Sequence, residues 1–333
     1  MSIKVQTNKN IVFFQLLLAL IHDENSQLRH PLSEKIIERF KFVKEFSEYE
    51  DFVEIYSQKN IPQNEWDYLL FALYTTDKFV LPANTHIRDE YISKIYEIYK
   101  KEIYPKIKEL YVESKFEIIY IEEFKPLYEN ICADIKREIE LYNPEKILLK
   151  FWNLDPKTNL YLIPNLFRVG GGSGFPINGK FYAVIGASNC NGEVLFKPTN
   201  MISTIYHEFS HSFFKERISK DKELLKKNKE ISKSLEEVIL KKVRSDTGIL
   251  QNYGTSTVYL EETYMRAIQI FLSYEFFKQI YSNSESLRMD TQKKLEAREM
   301  EGFIFIKEFF EQLGKSRNEN PMKMYMNILK SLL

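Results

Sequence analysis

The sequence has little cysteine, little histidine and no net charge. Its 333 residues include two cysteines, Cys132 and Cys190. They make no CxxC pair and no disulfide framework, so the chain is not a disulfide-stapled secreted module. A large secreted enzyme can still manage without bridges. Lys+Arg and Asp+Glu are both 47. No global basic field draws in nucleic acid or acidic membrane, and no nucleic-acid partner is expected. The apolar run "IVFFQLLLAL", residues 11–20, is too short to span a bilayer as a helix, so no membrane span is expected. Preceded by Lys4 and Lys9, it resembles a short signal peptide. Gln15 interrupts it, however, and "IHDENSQ" follows with no small-residue cleavage site. The expectation is a buried helix and a cytoplasmic protein; the alternative is a secreted protein whose signal has been removed. Oligomeric state has no sequence signal.

What is present is apolar and aromatic. The chain is 44% hydrophobic and 14% aromatic, enough for a sizeable core. Residues 10–150 read as helices. Ile36, Ile37, Phe40, Phe42 and Val43 fall at roughly helical spacing, and "DEYISKIYEIYKKEIYPKIKELYVE" repeats Ile and Tyr every three to four residues. Near residue 150 the texture changes. "NLYLIPNLFRV" (159–169) is apolar and broken by Pro164, and "GGGSGFPING" holds five of the eleven glycines. "KFYAVIGA" (180–187) has strand composition, and "EVLFK" (193–197) is a second, short candidate. The glycine run is neither GxGxxG nor followed by GK[ST], so it reads as a hairpin or loop beside a small sheet. Helix returns near residue 200. The fold class is therefore α+β, mainly helical. The three regions expected are a helical part at 1–150, a core at 151–285 and C-terminal helices at 286–333, with soft borders.

Two of the five histidines stand four apart in "YHEFSHSFF", residues 206–214. Ile202, Ile205, Phe209 and Phe213 fit one side of a helix, with Asn200 or Ser203 as candidate caps. One turn is 3.6 residues, so His207 and His211 project from the same side and can reach one Zn2+. Glu208 is rotated by about 100°. It cannot easily join them as a ligand, but it can face a water at the metal. That arrangement fits hydrolysis: the metal acidifies water and polarises a carbonyl, and Glu208 takes the proton and delivers it to the leaving amine.

A catalytic zinc usually takes three protein ligands. HExxHxxGxxH is excluded, because Phe214 and Arg217 stand where its glycine and third histidine would be. His22, His30 and His86 lie far upstream, and Cys190 sits in the loop-like "SNCNGE". The better candidates are Glu261 and Glu262 in "YGTSTVYLEETYMRAIQIFLSYEFF". Periodicity puts Tyr264, Ala267, Ile268 and Phe271 on the core face, which by itself favours Glu261 as the buried ligand.

The chain resembles the gluzincins, the zincin clan typified by thermolysin, with HExxH on one helix and a glutamate ligand on a later one. In that clan the apolar positions lie at −2, +2, +5, +6 and +9 from the ligand. Counted from Glu262 they are Leu260, Tyr264, Ala267, Ile268 and Phe271; counted from Glu261 they include Thr263 and Arg266. "HEFSHSF" followed by "YG…EETYMRA" is also similar to a bacterial family of uncharacterised proteins read as HExxH metallopeptidases. There the glutamate four residues before an Arg-Ala pair matches Glu262. The chain departs in having Glu261 where Asn is commoner, which leaves a second carboxylate as rival or support.

The resemblance implies a zincin-like core of small sheet plus active-site helix, with helical regions on either side. It implies His207, His211 and Glu262 as zinc ligands, Glu208 as general base, and Tyr253 (with Tyr259 next) as a hydrogen-bond donor to the oxyanion. It also implies a peptide or protein substrate aligned along "KFYAVIGA" or the stretch leading into GGGSG. Arg266 reads as an i,i+4 partner of Glu262. The 221–243 helix fills much of the long interval to the second helix and can border the cleft. The activity expected is that of a zinc metallopeptidase. The alternatives are a zinc amidase or deformylase-like enzyme and a non-catalytic zincin-like binding protein.

Overall fold

A computed structural model describes residues 3–21, 31–58, 65–82, 90–188, 195–243, 248–249, 253–281, 284–316 and 319–333. Among them are helices α1 (Lys9–Ile21), α2 (Pro31–Phe40), α3 (Ser47–Tyr56), α4 (Glu65–Tyr74), α5 (Glu90–Ile98), α6 (Tyr104–Glu113), α7 (Phe116–Ile119), α8 (Lys125–Tyr142) and α9 (Glu145–Phe151). After the sheet come α10 (Pro198–Lys220), α11 (Lys222–Lys242), α12 (Ser256–Ile280), α13 (Ser284–Met300), α14 (Ile306–Lys315) and α15 (Pro321–Ser331). The strands are β1 (Ile3–Val5), β2 (Leu160–Val169), β3 (Gly172–Ile177) and β4 (Lys180–Ala187). The molecule is mainly helical with one small mixed sheet, an α+β arrangement.

The run at 11–20 forms the middle of the N-terminal core. Every residue of α1 from Asn10 to Leu20 is buried, as expected of a helix that is apolar all round. The polar Asn10 is accommodated by donating to the carbonyls of Thr75 and Thr76. Aromatic rings from distant segments close on Phe13: Phe40, Phe79, Tyr111 and Phe116 all lie within 6.2 Å between centroids. The Tyr and Phe stripes are thus core. No helix among the described residues is long and apolar enough to cross a membrane.

The sheet order is β1-β2-β4-β3. The β1–β2 and β2–β4 pairs are parallel, and β3 runs antiparallel to β4. β1 comes from the extreme N-terminal part, a pairing with no local sequence signal. Two expectations change here. "KFYAVIGA" is β4, paired on both sides, and "NLYLIPNLFRV" is β2, paired with β4 along its length and with β1 only at residues 160–162. The edge strands are β1 and β3, and β3 is cut from the glycine run that reads as a hairpin or loop.

Its glycines have a packing reason. A Cβ on Gly174 would lie 1.9 Å from the Glu208 carbonyl oxygen, and one on Gly172 would lie 2.8 Å from Glu208 Cγ. Only a strand without side chains at these positions lets α10 lie so close. β3 returns to β4 through Asn178–Gly179, both at positive φ, the two-residue hairpin that Asn-Gly favours. The other short candidate fails: residues 195–197 are a bend, with Leu195 accepting from the Ser188 amide, and 193–194 lie outside the described residues.

Candidate metal centre

α10 starts earlier than its candidate caps. Pro198 occupies the first turn, where its missing N–H costs nothing, and Asn200 and Ser203 lie inside the helix. Ile202, Ile205, Phe209 and Phe213 are buried against the sheet and the later helices. Ser210 and Ser212, inside and just after the motif, are fully buried and bonded. Trp152 Nε1 donates to Ser210 Oγ at 2.9 Å, and Ser212 Oγ donates to the Tyr182 carbonyl at 3.0 Å. These contacts pin one face of α10 and turn His207 and His211 away from the sheet, towards α12.

α12 begins at a Thr255 cap whose side chain accepts from the Val258 amide. It brings Glu262 to the two imidazoles. His207 Nε2 and His211 Nε2 are 3.1 Å apart. Glu262 Oε1 lies 3.5 Å from His207 Nε2, and Oε2 lies 3.1 Å from His211 Nε2. Two ligands at tetrahedral angles on one zinc ion are separated by roughly 3.3 Å, from bond lengths of about 2.0–2.1 Å. The separation of the two imidazole nitrogens is close to that edge length, and with one ligand atom taken from each residue the three lie within 4.8 Å of one another. Side-chain exposures of 12% for His207, 19% for His211 and 10% for Glu262 leave one side of the group accessible.

The electrostatics suit a cation. Burial pushes both histidines below their ordinary range, against the pull of Glu262, so both are neutral imidazoles with a lone pair to give. Burial pushes Glu262 upward, but His207, His211 and Arg266 outweigh it and hold the carboxyl well below its usual range. Arg266 Nε stands 2.8 Å from Glu262 Oε1, the expected i,i+4 ion pair. Two neutral nitrogens and an ionised carboxylate form the His2Glu donor set that zinc takes in hydrolytic sites.

Glu208 is 3% exposed, with Oε1 4.0 Å from His207 Nε2, beside the group and not in it. Burial, then the Glu262 charge, pushes its carboxyl up to about 8. Tyr253 also reaches the site. Its hydroxyl accepts from Arg266 Nη2 at 3.3 Å, and its pKa is raised by burial and by the Glu262 charge. Tyr259 does not reach it. Its hydroxyl donates to the Gly302 carbonyl at 2.8 Å and accepts from the Ile304 amide, tying α12 to the 302–304 segment. His22, His30, His86 and Cys190 lie outside the described residues.

Glu261 turns the other way, away from the histidines. Asn228 Nδ2 on α11 donates to its Oε1 at 2.8 Å, while Asn228 Oδ1 accepts from Tyr325 on α15 at 3.0 Å. Burial pushes Glu261 up to about 7 despite the Asn228 bond. The periodicity argument that favours Glu261 goes astray because α12 is enclosed on more than one side. Asn228 is the residue that sequence reasoning missed. Its signal was a polar residue within the stripe Leu224, Leu225, Ile231 and Leu235.

Residues 90–328 match the family model described as "Domain of unknown function (DUF4932)". The chain belongs to that family. The matched region runs from α5 into α15 and carries β2–β4, α10 and α12, and so the whole histidine–glutamate group. No curated protein and no solved structure matches the chain.

Proposed function

We propose that the protein is a zinc-dependent hydrolase of the gluzincin type that cleaves peptide bonds. The observation that carries this is the convergence of His207, His211 and Glu262, all ligand atoms within 4.8 Å of one another, beside the buried carboxyl of Glu208. Zinc held by that triad supplies Lewis acidity, polarising a carbonyl and acidifying water. Arg266 and the Tyr253 hydroxyl support Glu262, whose orientation fixes the third ligand. Glu208 acts as general base and then as general acid, taking a proton from water and passing it to the leaving amine. Its burial keeps bulk water from competing for the proton it carries. Among the described residues no strand pairs with the outer edge of β3, which passes directly beside Glu208. An extended peptide added to that edge has its backbone bonded and its scissile bond next to the base.

The test is metal analysis of the purified chain together with hydrolysis of a peptide library. Wild type is expected to bind one equivalent of zinc and cleave. Glu208→Gln is expected to keep zinc and lose activity by about 10²–10⁴-fold, the usual share of a general base. Undiminished hydrolysis by Glu208→Gln would end the proposed role. Turnover of small amides without peptide cleavage would move the assignment to an amidase. A chain that takes up no zinc would leave only a binding role.

A further inference from the structure

Three basic side chains stand on the elements around Glu208: Arg168 at the end of β2, Lys215 on α10 and Arg266 on α12. Two of them are committed locally. Arg266 is paired with Glu262 at 2.8 Å. The Lys215 ammonium lies over the Trp66 ring, 4.3 Å from its centroid, and its charge also acts on buried Asp67. Arg168 is held differently. Among the described residues its ion pair is with Glu65 at 3.7 Å, beyond hydrogen-bond distance, and its side chain is 38% exposed.

The backbone sets where this guanidinium sits. Arg168 is next to last in β2. The chain then turns through Gly170 and Gly171, with φ of +69° and +59°, over the end of β4 and into β3. The crossing is close: a Cβ on Gly186 would lie 2.5 Å from the Gly170 carbonyl oxygen. A Cβ on Gly171 would lie 3.2 Å from Arg168 Nη2, and one on the next residue, Gly172, 2.8 Å from Glu208 Cγ. Guanidinium and general base therefore flank consecutive residues at the head of the edge strand. Among the described residues, a Cβ on Gly170 would meet nothing within 4 Å, so they leave space beside the turn.

A half-exposed guanidinium beside open space is a receptor for a planar anion. Its fork of N–H donors matches a carboxylate in two parallel hydrogen bonds. Resting on the hydrolase reading above, we propose that Arg168 is a specificity-determining residue that receives a substrate carboxylate at the head of β3, displacing Glu65. The preferred substrates are then peptides with an anionic group close to the scissile bond, from either an acidic side chain or a free C-terminus.

The test uses the full-length Glu208→Gln chain incubated with zinc, so that binding is read without turnover. Three dansyl-labelled alanine-rich hexapeptides serve as probes: a free C-terminal acid, its C-terminal amide, and the amide with one internal Asp. At least one carboxylate form is expected to bind about tenfold more tightly than the neutral amide, the size of one charge-assisted hydrogen bond in a half-exposed site. The acid arm reports a C-terminal carboxylate and the Asp arm a side chain. Adding Arg168→Ala is expected to bring all three within about twofold, with Arg168→Lys restoring part of the preference and an unchanged melting temperature confirming the fold. Equal binding of the three peptides, a preference that survives Arg168→Ala, or no binding overturns the proposal. Hydrolysis is then measured with Glu208 restored. A carboxylate preference without cleavage leaves the Arg168 site standing and removes the hydrolase reading. Cleavage without a preference does the reverse.

Discussion

The N-terminal helical region and the α10–α12 pair bury different chemistry. Around Phe13 the interior is rings and aliphatic chains, with the Asn10 amide donating to two carbonyls. Between α10 and α12 the interior holds Glu208, Glu262 and Arg266 beside two histidines. Apolar burial stabilises at about 25 cal/mol per Å² wherever it occurs. Buried charge costs stability unless it is paired, and a carboxyl pushed up to about 8 shows that Glu208 is not fully compensated. The first region buries scattered polar groups such as Asp67 in an apolar core; the second concentrates Glu208, Glu262 and Arg266 around two histidines.

The sharpest way to break that contrast is to exchange each glutamate of the adjacent pair. Glu262→Gln removes the proposed third ligand and the ion pair with Arg266, so zinc affinity is expected to fall by more than about 100-fold, since even supporting residues cost about 10–100-fold. Glu261→Gln is expected to change zinc affinity by less than about tenfold, because that side chain faces Asn228. Zinc titration against a competing chelator reads both. Equal losses would remove the distinction.

In the apolar region, Phe13→Ala is expected to cost about 3–5 kcal/mol, measured by urea unfolding. Folded protein that remains should bind zinc as tightly as wild type. Gly174→Ala probes the boundary between sheet and site. Its Cβ would lie 1.9 Å from the Glu208 carbonyl oxygen, so β3 and α10 must separate. The expected cost is about 1–3 kcal/mol, with a loss of activity larger than the stability loss explains.

The smallest expected effect is pH-dependent. Burial raises Asp67 from 3.8 to about 6, only partly opposed by Lys215. The folded state therefore binds more protons than the unfolded state between about pH 4 and pH 6, and this group's contribution to stability falls as pH rises through that window. Asp67→Asn is expected to stabilise the protein by on the order of 2 kcal/mol at pH 7 and by little below pH 4, read from unfolding curves at both. Equal gains at both would mean that charge is not the cause.

The buried α1 and the helices of the N-terminal region were legible because their apolar spacing is local. The side-by-side placement of His207 and His211 was legible because four residues of helix bring two side chains to one face, whatever surrounds it. The sheet was half legible. β2 and β4 have strand composition, but β3 begins Gly-Ser-Gly, and glycine there answers to the approach of α10, which no window around residue 172 contains. The partner of Asn228 is 33 residues away, and β1 joins a strand more than 150 residues later. Periodicity also misassigned the glutamates, since α12 is enclosed on more than one side and both residues are held.

By itself the sequence determined a mainly helical α+β chain, a pair of histidines on one helix face with a glutamate rotated off it, and two adjacent carboxylates as candidates for the third position. The resemblance to the gluzincins already favoured Glu262; the tertiary structure turned Glu262 to the histidines and Glu261 to Asn228, and set the glycine-bearing edge strand and Arg168 near Glu208. The physical reason is range. Helical spacing and apolar periodicity are properties of a few consecutive residues, whereas which buried charge faces which partner depends on how α10, α11, α12 and β3 pack together.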